Sequence, residues 1–352
     1  MTHDRAHAHC SVDYGIRTVG LTLIATLTLP SLAGCGSSPP RPVPSRTAAE
    51  PQTAPAATAR PSGAVVAVGD TPEGVVVDDE LGVAVVALRR PDSLALVGLG
   101  GRHSVRTIPT PGRARHLRLA APGGPLLLPG EDANALFEVA LPNGSVKARY
   151  PTGLQPHDAV EAGGELWVTD ELAGRISILG GSGGGKSLPA GLQPGGLDTA
   201  GGRVAVADVR GNALYVFDVK TQRRVAVLAA GAGPTHVVHV GPTTVAVADT
   251  RGDAILLYDL SGRPRLLDRL PMAGGPYGMA ADPGRHRLWV ALSGRNQLVA
   301  VDVAGARLQA TSVRLATLRQ PNSVAVSAAT GGLVVVGATP RGAVEFIDAG
   351  SG

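Results

Sequence analysis

From Gly63 onward the chain repeats itself with a period near forty residues, and this constrains its fold more than any other feature. The clearest marker is a proline, or its equivalent, just before a short apolar run. It falls at Pro72, Arg115, Pro156, Pro194, Pro234, Pro276 and Pro321, at spacings of 43, 41, 38, 40, 42 and 45 residues. A second apolar run follows in each repeat: GVAVVAL (82–88), PLLLP (125–129), ELWVTD (165–170), RVAVAD (203–208), TVAVAD (244–249), RLWVAL (287–292) and LVVVGA (333–338). Each then offers one residue suited to a left-handed turn, namely Asp92, Asn134, Gly174, Asn212, Asp253, Asn296 and Gly342. Two residues later stands an aliphatic side chain: Leu94, Leu136, Ile176, Leu214, Ile255, Leu298 and Val344. Alternation continues from there as a third strand. A forty-residue period of short strands and tight turns predicts four-stranded blades, hence an all-β, seven-bladed β-propeller over 63–352.

The ends of this region support a closed ring. The last repeat has three strands and stops, whereas 63–68 forms a lone apolar strand ahead of the first marker. Pairing 63–68 with the strand around 344–347 completes the last blade and covers the sheet edge between first and last blades. Composition agrees: 17% charged and 3% aromatic residues, with 48 glycines and 28 prolines, suit strands and turns and argue against a helical bundle. Net charge is +4, the lysines are Lys147, Lys186 and Lys220 alone, and no basic run is interleaved with aromatics, so no nucleic acid is expected as a partner. Cys10 and Cys35 both precede the repeats, which excludes a disulfide or a thiolate metal site inside the domain.

Upstream, residues 19–32 (VGLTLIATLTLPSL) follow Arg17 and are too short to span a bilayer comfortably; they fit the apolar core of a signal peptide. The run ends in Leu32-Ala33-Gly34-Cys35, which resembles the bacterial lipobox. The resemblance implies a signal peptide over 1–34, acylation of Cys35 and a lipid anchor on the exported face of the cell membrane. Residues 35–62 are rich in proline, alanine, serine and threonine without apolar periodicity, and read as a partly extended tether that holds the domain off the membrane.

Within the repeats, Trp167-Val168-Thr169-Asp170 resembles the Tyr-Val-Thr-Asn signature of YVTN-type propeller repeats, and Ala205-Val206-Ala207-Asp208 and Ala246-Val247-Ala248-Asp249 are looser copies. Asp218, Asp259, Asp302 and Asp348, after the third strands, match the same pattern; Gly98, Ala140 and Gly180 replace them in the first three repeats. The region is similar to YVTN proteins, lactonase-type propellers and streptogramin-lyase-like propellers. These share an architecture and not one chemistry.

The residues after each marker begin the innermost strand and are expected to rim the central channel. Glu73, His116, His157, Asp158 and His236 stand out among them as acid–base candidates, and His116, His157 and His236 as ligands for a divalent metal. Hydrogen bonding to neighbouring blades is the competing structural role. The stretch 180–187 satisfies a P-loop pattern, but Pro189 and Gly191 oppose the helix that a phosphate site requires, so it is expected to be a loop. Trp167 and Trp289 are expected in the core, and Asp170, Asp208 and Asp249 as turn-bonding carboxylates. The leading expectation is a monomeric, non-enzymatic surface lipoprotein that presents the propeller to a small ligand or a protein partner. The alternative is an enzyme, a lactone hydrolase or cyclic-ester lyase, working at the channel mouth with or without a metal.

Overall fold

A computed structural model of the chain describes residues 42–45, 47–180, 185–348 and 350. The apolar run, the lipobox-like motif and Cys35 lie outside these residues. The rest is built from four-stranded antiparallel sheets, five of them separate and two joined through one long strand, Ala64–Asp78. Its first part pairs with the third strand of the last repeat, Ala64 opposite Phe346 and Val66 opposite Val344. Its second part pairs with Val83–Arg90 as the inner strand of the first blade, Val75 opposite Val86. Seven blades result, and the ring closes as the sequence predicts.

Alternation explains why the blades stack. Side chains on the two faces of each middle strand point into the two adjacent interfaces. The buried apolar residues accordingly fall into seven clusters, one for each interface between neighbouring blades. The smallest lies between blades 2 and 3, where Leu127 and Leu136 meet Ala159, Leu166, Val168 and Leu179. Trp167 is fully buried and its indole N–H donates to Ala162 O at 3.3 Å. Trp289 is also core. Lys186–Pro189 is the outer strand of blade 3, so a strand stands where a P-loop needs a helix.

The pairing corrects one register. Arg118 lies opposite Leu127, as Val160 lies opposite Trp167 in the next blade. His116 therefore occupies the level of Asp158, one step deeper than the spacing of the markers suggests, and Arg115 takes the outermost level beside His157. The cause is that the cross-strand ladder sets depth in the channel, and Ala114, not a proline, stands at the marker level of blade 2.

Residues 47–62 adopt no helix or strand, yet they are not detached. They cross the face formed by the loops that enter the inner strands and the loops between second and third strands. Asn212 on blade 4 donates to Val43 O at 2.6 Å and to Ser45 Oγ at 2.8 Å. Arg251 on blade 5 donates to Thr47 O and Ala48 O at 3.1 and 2.8 Å. Asn296 on blade 6 donates to Pro55 O at 3.1 Å. Gln320, before blade 7, accepts from Ala54 N at 2.9 Å and donates to Gln52 O at 3.0 Å. Ala49 and Ala54 of this strap are themselves buried. Apolar periodicity gives no hint of such docking, because the anchoring groups are backbone carbonyls available to any sequence.

Candidate functional site

The inner strands converge on the channel, and the proline-marked ends of those strands bring the polar residues to the strap-bearing face. Four rings form a row across the channel there. His157 of blade 3 faces His116 of blade 2 with ring centroids 4.7 Å apart; His116 faces His236 of blade 5 at 4.9 Å; His236 meets Tyr277 of blade 6 edge-on at 4.4 Å. The three histidines singled out in the sequence are thus brought together. Burial, then the neighbouring His157 and His236, hold the His116 imidazole well below its ordinary pKa. Burial, then His157 and Arg115, lower His236 to about 3. Both are neutral at physiological pH, and the Nδ1 atom of His236 is buried without a partner.

Around this plug lies a ring of ion pairs. Arg89 pairs with Glu131 at 2.5 Å and with Glu73 at 3.6 Å, and Arg115 reaches Glu131 at 3.1 Å. Burial raises the pKa of Glu73 even against Arg115 and Arg89. On blade 3, Glu171 accepts from His157 Nδ1 at 3.2 Å, from Gln155 at 3.0 Å and from Gln193 at 2.7 Å. Burial pushes the Glu171 carboxyl up, but these bonds, the charge of His157 and that of Arg115 prevail and hold it at about 2. Glu171 is thus a fixed anion that orients the His157 ring, and the remaining ring nitrogen faces the plug. Glu131, Glu171 and Arg89 sit in turns and a second strand, where no residue pattern distinguishes them from other surface charges, and sequence reasoning passes over them; Arg115 enters it only as the marker of blade 2.

For a metal, the arrangement is selective. Among the described residues, the one group of three whose ligand atoms lie within 4.8 Å of one another is Glu131, His157 and Glu171. Of the three histidines, only His157 belongs to it. Two guanidinium groups already neutralise Glu131, so a cation there competes with Arg89 and Arg115 for the same oxygens.

Beneath the plug a cavity of about 390 Å³ runs along the channel. Blades 5, 6, 7 and 1 line it with Val238, Ala280, Ala325 and Val76; blades 2 to 5 supply Arg118, Asp158, Asp198 and His239. Asp198 accepts from Thr199 N at 2.8 Å, from His239 N at 2.9 Å, from His239 Nδ1 at 3.2 Å and from Arg118 at 3.4 Å. Burial is outweighed by these partners, and its pKa falls to about 2. Asp158, in contrast, is raised by burial; it accepts from Ala159 N at 2.8 Å and Leu197 N at 3.3 Å. Both carboxylates are therefore engaged. What the cavity still offers are donors: the outer nitrogen of the half-exposed His239 ring, further N–H groups of Arg118, and the neutral imidazoles of the plug. Arg118, Asp198 and His239 lie one level deeper than the rim that the markers define, which is why the marker argument misses them.

No protein-family model matches this sequence, and no protein of curated function matches it. Solved structures do resemble the fold. A streptogramin B lyase superposes with a TM-score of 0.66 at 14% identity, over 82% of this chain and 96% of the lyase. The virginiamycin B lyase of Staphylococcus aureus gives 0.65 at 14% identity, over 81% and 98%. A chain of the mitotic checkpoint complex gives 0.69 at 13% identity, over 86% and 99%. Neighbours that are enzymes and neighbours that belong to assemblies fit equally well, so the comparisons establish the β-propeller and nothing narrower.

Proposed function

We propose that this protein is an exported, lipid-anchored binding protein whose channel cavity takes a neutral amphipathic molecule bearing an ester, lactone or amide carbonyl. The observation that carries this reading is the asymmetry of the cavity. One arc is aliphatic, and the other presents unengaged donors while its carboxylates are fully engaged. An acceptor oxygen facing Arg118 and His239, with a hydrocarbon body against Val76, Val238 and Ala325, meets both arcs. A carboxylate would meet Asp158 and Asp198 at close range, and an ammonium would meet the Arg118 guanidinium and compete with it for Asp198. The lipobox-like motif at Cys35 and the signal-like run before it support the anchor and the location.

The test is calorimetric titration of the protein with γ-octalactone, octanoate and octylamine. Binding of the lactone alone, weakened at least about tenfold (roughly 1.4 kcal/mol) by Arg118→Met, supports the proposal. Equal binding of all three, or lactone binding indifferent to Arg118, refutes it. A second reading, catalysis on a cyclic ester at the mouth, is favoured by one observation: Glu171 orients His157 as a carboxylate orients a general base. Lactone opening followed by NMR, and its loss in His157→Ala, separates that reading from simple binding.

A further inference from the structure

The face that carries the strap has an apolar patch of its own. Leu172 is 62% exposed, Leu154 57% and Leu192 51%, and Val43 of the strap is 74% exposed. The three leucines are neighbours on blade 3 and the loop that leaves it. Leu172 N donates to Leu154 O at 3.2 Å, and Gly174, which ends the Leu172 turn, abuts the carbonyls of Gly191 and Leu192. Exposed large apolar side chains scattered singly are ordinary; three adjacent leucines at loop tips are not. The exposed arginines of this face stand on, or enter, the other blades: Arg90, Arg113, Arg251, Arg295, Arg319 and Arg341, against Glu50, Asp70 and Asp132. Arg251 and Arg319 also donate to the strap, and Arg113 pairs with Asp92.

We infer that this face lies on the membrane, with Leu154, Leu172 and Leu192 dipping into the headgroup boundary of an anionic lipid surface. The inference rests on acylation of Cys35. The strap is held on blade 4 at Val43 and Ser45, and Leu192 belongs to the loop entering that same blade. Only eight peptide units separate Val43 from Cys35. Fully extended, they reach at most about 29 Å. Most of the proline- and alanine-rich segment is therefore consumed in crossing the propeller and adds nothing to the distance from the bilayer. An acyl chain on Cys35 holds blades 3 and 4 close to the headgroups, where exposed leucines and arginines are the residues that interfacial binding uses. Among the described residues no helix is long and apolar enough to cross a membrane, so attachment by loops is consistent with the rest of the fold. The cavity then runs from the plug, on the membrane side, toward the opposite face.

Two labels on the full chain test this. In a Cys10→Ser background, Leu172→Cys and Ala306→Cys, the latter on an exposed turn of the opposite face, each carry a bimane fluorophore. The purified proteins are reconstituted into phosphatidylcholine–phosphatidylglycerol vesicles containing doxyl-labelled lipid, and acylation of Cys35 is read by intact mass. Quenching at position 172 is expected to exceed that at 306 about threefold or more, since an interfacial side chain sits about 5–10 Å into the boundary. Leu192→Cys is expected to behave like Leu172→Cys, which guards against a local effect of either substitution. Equal quenching at all positions in an acylated protein overturns the inference and leaves the anchor standing. A chain that carries no acyl group overturns the anchor and, with it, the reach on which the inference depends.

Discussion

Asp170, Asp208 and Asp249 occupy one position in three successive blades, and replacing the first by asparagine should have the opposite effect to replacing the others. Asp208 accepts from Leu192 N, Gln193 N and Gly211 N at 2.9, 3.0 and 2.9 Å. Asp249 accepts from Ala232 N, Gly233 N and Gly252 N at 2.9, 2.9 and 3.1 Å. In blade 3 the turn is a single 3-10 turn, Glu171–Ala173, and the Gln155 N–H, which matches that of Gln193, goes to Asn134 Oδ1 at 2.9 Å instead. Asp170 is left fully buried with Ser177 Oγ at 2.6 Å, while its Oδ1 has no partner. Burial raises its pKa from 3.8 to about 6. A folded pKa above the unfolded one means that the folded state holds the proton more tightly. Stability is lost as pH rises between about 4 and 6, by about 3 kcal/mol at about 1.36 kcal/mol per pH unit. Asp170→Asn removes the ionisable group, but its amide leaves an N–H where Oδ1 stood, so the expected gain at pH 7.5 is about 1–3 kcal/mol. At about 2–4 °C per kcal/mol for a domain this large, the melting temperature should rise by about 2–12 °C. At pH 4.5 the native carboxyl is mostly protonated and only about 1 kcal/mol of the difference survives, so the gain should shrink by about 2 kcal/mol relative to pH 7.5. Asp208→Asn and Asp249→Asn, which weaken three backbone bonds each, should lower the melting temperature at both values. A variant at position 170 that is destabilised at pH 7.5, or shifted equally at both pH values, refutes the reasoning.

Three further outcomes concern two other carboxylates. Glu345 is fully buried and accepts from Gly63 N at 2.8 Å and Leu318 N at 2.9 Å, so Glu345→Ala should cost about 2–4 kcal/mol and should speed hydrogen exchange in 64–69 before any other strand. Asp198, depressed from 3.8 to about 2, contributes about 2 kcal/mol that is present above pH 4 and lost as pH falls to 2. Asp198→Asn should therefore flatten the acid limb of the stability curve. Its hydrogen bond, first among the causes, also raises the pKa of His239. The His239 contribution is present below the ordinary histidine pKa and is lost as pH rises through the raised one. An NMR titration should show the His239 midpoint falling in the Asp198→Asn variant, and an unchanged midpoint would refute the coupling.

Strand periodicity made the ring legible, because a two-residue alternation repeated at forty-residue spacing has few ways to bury both faces of every sheet. The closing strand was legible for the same reason: 63–68 is an apolar strand without a partner, and the last repeat is a sheet lacking one. Depth within the channel was not. Arg115 stands where the other repeats have proline, yet the ladder seats it one step deeper than that reading, beside His157, and drops His116 beside Asp158 and His236. Glu131 and Glu171 escaped because their role depends on which loops meet across an interface, here the one between blades 2 and 3. The strap escaped because backbone carbonyls carry no signature in side-chain sequence.

The strap also decides where mechanical load enters the molecule. Tension applied through the N-terminal segment does not fall first on the seam of the ring. It meets the bonds of Asn212 to Val43 and Ser45, then those of Arg251, Gln320 and Asn296, and each must break before the next is pulled taut. Peeled one at a time, such bonds yield at low force and lengthen the chain as they go. Only then does the pull reach 64–69, which is held along its whole length by the ladder to 342–346. The strap thus acts as an extensible shock absorber in series with a stiff ring, and blade closure is spared until the chain from Val43 to the strand at Ala64 has been drawn out.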